Sequence, residues 1–174
     1  MDFLALAKKR YSVRKYTSDK VEDSKVATIL EAGRIAPTGA NKQPHHLIVL
    51  RKEEGLKKIS KAANVYDAPL VIMVCSHKEG SWVRPFDGKS LMDIDASIVT
   101  DHMMLQATAL GLGSVWIDYF KPDVIKEVFD LPDYLEPINL LAIGYASEEP
   151  LSPDRHQETR KPLDEIVSYE GFEK

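Results

Sequence analysis

Residues 93–110 place the strictest demand on the fold. Read as one helix, they confine the polar side chains Asp93, Ser97, Thr100, Asp101 and Thr108 to a single stripe and are apolar nearly all round the rest. Such a helix can lay one flank on a sheet and still leave Met103, Met104 or Leu105 needing another surface, which a deep core or a second copy of the chain could equally supply. The chain must therefore fold in layers. The runs at 47–50, 70–75 and 138–143 are short, β-branched or leucine-rich and bounded by turn residues, as buried strands are, and a fourth strand is expected at 114–117. Residues 3–9 form a short amphipathic helix that Asp2 can cap; residues 22–36 form a second, with Val26, Ile29, Leu30 and Gly33 on one face and Pro37 ending it. Because helices and strands alternate, the expected class is α+β, an α/β layered arrangement with a mixed central sheet flanked by helices.

The chain of 174 residues is read as a single domain spanning 1–174, with the polar stretch 147–159 the only candidate boundary. Lysine and arginine number 23 against 27 acids, and a net charge of -4 lacks the positive field that nonspecific nucleic-acid binding requires. No window approaches the roughly 18 uninterrupted apolar residues of a membrane span, and no cleavage-like pattern follows Met1, so neither nucleic acid nor membrane is an expected partner. Cys75, the only cysteine, lies in the apolar run 70–75 and excludes an intrachain disulfide or a cysteine-rich zinc site. A reducing, cytoplasmic location fits that usage.

The usual catalytic signals are missing. There is no phosphate-binding loop with its terminal lysine, and Gly111, Leu112 and Gly113 close a helix where a dinucleotide fingerprint would have to open one. The histidines His45, His46, His77, His102 and His156 have no metal-ligand spacing, and no serine sits in a glycine-flanked nucleophile turn. Cys75 in an apolar strand reads as an inert core thiol.

Four clusters stand out instead. After the first helix come Arg10, Tyr11, Ser12 and Arg14; if that segment is extended, alternate side chains point one way and two guanidinium forks converge with a hydroxyl, an arrangement suited to a phosphate monoester. After the second helix comes the loop of Pro37, Thr38, Asn41 and Gln43, whose amides suit a heterocycle with alternating carbonyl and N–H groups. The third cluster is Trp116, Ile117, Asp118 and Tyr119, where an apolar strand end brings an indole to a polar turn and could hold one face of a planar ring. The fourth is Arg160 and Lys161 before Pro162. Taken singly, each is also what a solvated basic turn, a plain loop or core packing looks like.

Together and in this order, the four clusters resemble the nitroreductase family of FMN-dependent oxidoreductases over almost the whole chain. The resemblance implies that Arg10, Ser12 and Arg14 hold the FMN phosphate, ribityl chain and N1/O2 side of the ring, with Tyr11 in the same segment, and that Arg160, with Lys161 beside it, completes the phosphate site. It implies a homodimer whose pocket takes Pro37 and Thr38 from the partner subunit, with Asn41 and Gln43 shaping the same pocket. Trp116 and Ile117 match positions facing the ring, Asp118 and Tyr119 positions whose backbone lies near N5 and O4, and a C-terminal segment exchanged onto the other subunit would add a strand at 166–169. NADH or NADPH would be the electron donor and a small electron-poor molecule, a nitroaromatic or quinone, the acceptor in a ping-pong cycle, which accounts for the missing acid, base and nucleophile. The chain departs from the family pattern at Glu158, where many members carry a base, at His45, where a tryptophan often stands, and at Tyr119, where a glycine is frequent. Asp95 falls where some relatives place a polar flavin contact and is not counted in the site. Two other classes stay open on the residues alone: an FMN-binding storage or regulatory dimer without turnover, and a nonflavin protein that binds a phosphorylated metabolite.

Overall fold

A computed structural model describes residues 2–172. Strands β1 (His45–Leu50), β2 (Leu70–His77), β3 (Gly113–Ile117) and β4 (Leu135–Gly144) form one sheet in the order β1-β2-β4-β3. Around it lie α1 (Phe3–Lys9), α2 (Asp23–Arg34), α3 (Glu53–Ile59), α4 (Met92–Ala109), α5 (Pro122–Val128) and the single turn α6 (His156–Thr159).

The alternation of β2 sets the layers. Val71, Met73 and Cys75 pack with Ile59 of α3 and Ile125 of α5, whereas Leu70, Ile72 and Val74 pack with Val26 and Ile29 of α2 and Val99 and Met103 of α4. A strand covered on both faces has no position left for a polar side chain, which is why this run is uninterrupted. On the α2 side the helices come close: a Cβ on Gly33 would stand 2.9 Å from Cγ of Met103. The outer side of α4 is less covered, with Ile94 exposed and Ile98 and Leu105 only partly buried.

Expected and observed elements differ in instructive ways. The first helix has the expected bounds, and Asp2 caps it by accepting the Ala5 N–H at 3.2 Å. The sheet expected to be mixed is antiparallel in all three ladders; its parallel component is one bridge between Ser12 and Ser114 along the outer edge of β3. An apolar run records burial on both faces and is silent on strand direction. The β2–β4 register shifts between Val74 and Cys75, so that Pro137 sits in a central strand at an irregularity that tolerates its missing N–H. Residues 166–169, expected as a strand on a partner, join no ladder here and come after a short 3-10 turn at Leu163–Glu165.

Candidate functional site

Helix α1 stops at Arg10, whose N–H still reaches the Leu6 carbonyl at 3.1 Å while its own backbone is extended (φ -61°, ψ 130°). The chain then runs beside β3: the Val13 N–H donates to the Ser114 carbonyl at 2.9 Å, and Val13 is buried against Gly113, where a Cβ would meet Val13 Cγ2 at 2.5 Å. Burying Val13 turns its neighbours in alternation to the other side. Ser12 and Arg10 are half-buried; Arg14 is exposed, with Nη1 3.4 Å from the Ser12 carbonyl and its guanidinium 6.0 Å from the Tyr66 ring centroid. Tyr11 lines a cleft of about 270 Å3 with Arg10, Val13, Thr108, Leu112 and Tyr145, and burial raises its phenol above the ordinary value.

The other end of the chain comes to the same place. Arg155 donates from Nη2 to the Arg10 carbonyl at 2.6 Å and from Nη1 to the carbonyls of Lys8 at 3.0 Å and Ser152 at 2.8 Å. Burial pulls the Arg10 guanidinium below its ordinary pKa, and the charges of Arg155 and Arg160 pull it further, with Asp101 opposing. Elsewhere on the surface the arginines find acids: Arg34 pairs with Glu31, Arg51 with Asp23 and Arg84 with Asp87. Among the described residues Arg10, Arg14, Arg155 and Arg160 have no carboxylate within 4.0 Å. Gathering like charges without counterions is unfavourable unless an anion completes the set. Lys161 succeeds Arg160 as an exposed residue before the extended Pro162.

Beside this cluster β3 presents its α4-facing residues. The Ser114 hydroxyl is buried without a hydrogen-bond partner. Trp116, opposite Leu141, is half-buried; its Nε1 donates to Asp118 Oδ1 at 2.9 Å, and the indole borders a groove of about 510 Å3 with Asp93, Ile94, Ser97, Ile98 and Asp101. Ile117 points to the other layer and is buried in the core with Ile125 and Leu140, so its side chain is structural. Beyond β3 the ladder ends, and among the described residues neither the Asp118 nor the Tyr119 N–H donates to a backbone carbonyl. Tyr119 is 95% exposed.

The 37–43 loop lies at the N-terminal end of α4. Gly39 donates its N–H to Oδ1 of the buried Asp95 at 2.9 Å, Gln43 donates its N–H to Thr38 Oγ1 at 3.0 Å, and Gln43 Nε2 reaches the Asn41 carbonyl at 3.1 Å. Pro37, Asn41 and Gln43 are exposed. The structure thus brings Arg10, Arg155 and Arg160 together with Asp101 opposing them, sets Ser12 beside Ser114 of β3, turns Arg14 towards Tyr66, and holds the loop of Pro37, Thr38, Asn41 and Gln43 by Asp95. Sequence reading missed Arg155, whose only signal was a second guanidinium five positions before Arg160. It also left out Asp95, an acid in the first turn of a helix otherwise read by its polar stripe. The thiol of Cys75 is buried and raised to about 12 by that burial, and no metal-holding group of His, Cys, Asp or Glu occurs among the described residues.

Comparison with known proteins bears on the family and the fold. The pattern of the Nitroreductase family matches residues 7–65 and 60–145. A nitroreductase family protein of Clostridium difficile 630 superposes with a TM-score of 0.97 at 63% identity, over 99% of this chain and 100% of that one. An FMN-dependent nitroreductase of Clostridium difficile R20291 superposes with a TM-score of 0.78 at 26% identity, over 98% of this chain and 100% of that one. A Methanothermobacter thermautotrophicus protein with the provisional name NADH dehydrogenase/NAD(P)H nitroreductase is 32% identical over 173 residues, covering 89% of this chain and 85% of that protein. With the family pattern spanning most of the sequence and the two chain ends meeting around unpaired guanidinium groups, the chain belongs to the nitroreductase family.

Proposed function

We propose that this chain is an FMN-dependent oxidoreductase working as a homodimer, with NADH or NADPH as donor and a small electron-poor molecule such as a nitroaromatic or quinone as acceptor. The observation that carries the reading is the set Arg10, Arg155 and Arg160, contributed by both ends of the chain and without carboxylate partners. The residues present fit FMN in a second respect: the unpartnered Ser114 hydroxyl and the free N–H groups of Asp118 and Tyr119 offer polar contacts along one edge of a planar ring. Bound FMN would accept hydride from the nicotinamide and hand it to the acceptor.

The chain's own residues bind, orient and tune. Arg10, Arg160 and Lys161 take the phosphate; Ser12 and Ser114 line the path between phosphate and ring; Trp116 flanks the ring. Arg14, exposed and without a carboxylate, places positive charge where electron density on the ring increases, an effect strengthened as the crevice sheds water. Pro37, Thr38, Asn41 and Gln43 complete the pocket of the second subunit. The homodimer is supported by Leu163 (74% exposed), Ile166 (62%), Tyr169 (84%) and Phe172 (88%), a run of apolar side chains on the tail that a second copy would cover. No helix of the described residues is long and apolar enough to cross a membrane. The deciding experiment is an absorbance spectrum of the purified protein, with NADH and NADPH then added anaerobically. Flavin bands that bleach establish the activity; a colourless protein that fails to take up FMN overturns it.

A further inference from the structure

Within the basic cluster, Arg155 differs from its neighbours because three of its five N–H donors are already engaged by backbone carbonyls. Nη1 bonds the carbonyls of Lys8 and Ser152, and Nη2 bonds the carbonyl of Arg10. The Lys8 and Arg10 carbonyls belong to the end of α1, where a helix runs out of intrahelical donors and favours a cation. The His156 ring repeats the contact, with Nε2 3.2 Å from the Lys8 carbonyl. The segment from Arg155 to Arg160 is tied by two internal hydrogen bonds. Thr159 Oγ1 donates back to the Arg155 carbonyl at 2.8 Å and the Arg160 N–H to the His156 carbonyl at 3.2 Å, so α6 is a one-turn strut between the two arginines.

We propose that Arg155 is the positioning residue of the phosphate site, joining the end of α1 to the tail through its three hydrogen bonds so that Arg160 is held beside Arg10. This rests on the flavin reading above. Arg155 does not itself grip the phosphate. It also brings to the cluster a positive charge that position 158, a glutamate, does not supply. Lysine could keep the charge but, with one ammonium on a flexible stem, cannot span three carbonyls in a fixed fork.

The test uses the full-length protein stripped of flavin and measures FMN and riboflavin binding by fluorescence quenching for wild type, Arg155→Ala and Arg155→Lys. Both variants are expected to weaken FMN binding about tenfold while riboflavin, which lacks the phosphate, changes less than about twofold. Equal losses for the two ligands, or full recovery in Arg155→Lys, overturn the positioning role, the second because charge alone would then suffice. Trypsin cleavage after Arg160, monitored without flavin, is expected to quicken in both variants; unchanged cleavage also counts against the clamp. A wild type that binds neither flavin while the variants still loosen the tail defeats the flavin reading and leaves the clamp standing.

Discussion

Oδ1 of Asp95, buried in the first turn of α4, accepts the backbone N–H of Gly39 at 2.9 Å. The loop it holds is conformationally costly, with Ala40, Asn41 and Gln43 at φ 49°, 54° and 51° in the left-handed region. Asp95→Ala removes the acceptor and is expected to lower unfolding free energy by about 1–3 kcal/mol in urea titrations. Asp95→Asn keeps a carbonyl at that place and should lose less than about 1 kcal/mol. Unchanged stability in Asp95→Ala would show that the carboxylate anchors nothing.

Arg14 is exposed and has no carboxylate partner, so its removal costs the apoprotein little. Arg14→Ala is expected to weaken FMN binding about tenfold and to lower the flavin reduction potential, because the charge that favours the reduced ring is gone. Dye-coupled anaerobic titration reads the potential. An unchanged potential with unchanged affinity sinks this role.

Gly113 leaves room for Val13, whose three side-chain carbons would lie 2.5, 2.9 and 3.0 Å from an added Cβ. A valine is stiff and cannot swing aside. Gly113→Ala is therefore expected to cost about 1–3 kcal/mol by overpacking and, by pushing the Arg10–Arg14 segment off β3, to weaken FMN binding as well. Thermal unfolding and flavin titration on the same sample check both.

Burial raises the Cys75 thiol to about 12, from an ordinary value of 9.0. Between those values the folded chain keeps a proton that the unfolded chain releases, so this group's contribution to stability is intact below pH 9.0 and declines as pH rises towards 12. Partly buried Tyr16, whose phenol is likewise held above the ordinary tyrosine range by desolvation, adds to the same slope. Urea midpoints measured from pH 8 to 11 should fall with pH, and more gently in Cys75→Ala; parallel slopes would falsify the assignment to this thiol.

The tail beyond Pro162 carries exposed Leu163, Ile166, Tyr169 and Phe172. Truncation after Pro162 leaves Arg160 in place and should shift sedimentation from dimer to monomer, with flavin lost on dilution. A truncated chain that stays dimeric would move the interface elsewhere.

Much of the layering was legible because burial leaves a compositional record. The run at 70–75 has no polar position because α2 and α4 cover one face and α3 and α5 the other. Helices α3 and α5, of 7 residues each, are too short for an apolar stripe to declare itself, and strand direction leaves no mark on hydropathy. The extension of the chain after α1 was legible from the spacing of Arg10, Ser12 and Arg14, whereas the placing of Arg14 beside Tyr66 was not. Arg155 was not, since its meaning lies in a bond to a carbonyl 145 positions earlier. The loop-anchoring bond of Asp95 was equally silent, because its partner is a backbone N–H 56 positions away.

The bridge from Ser12 and the Val13 N–H to Ser114 lies along the free side of β3, the last strand on that flank of the sheet. Uncovered strand margins recruit neighbouring chains into insoluble stacks. The pentapeptide that presents the guanidiniums is therefore also the seal on that margin. Damage that peels it away would bare that margin and invite clumping, so on the proposed flavin reading a ligand that pins the segment would guard solubility too.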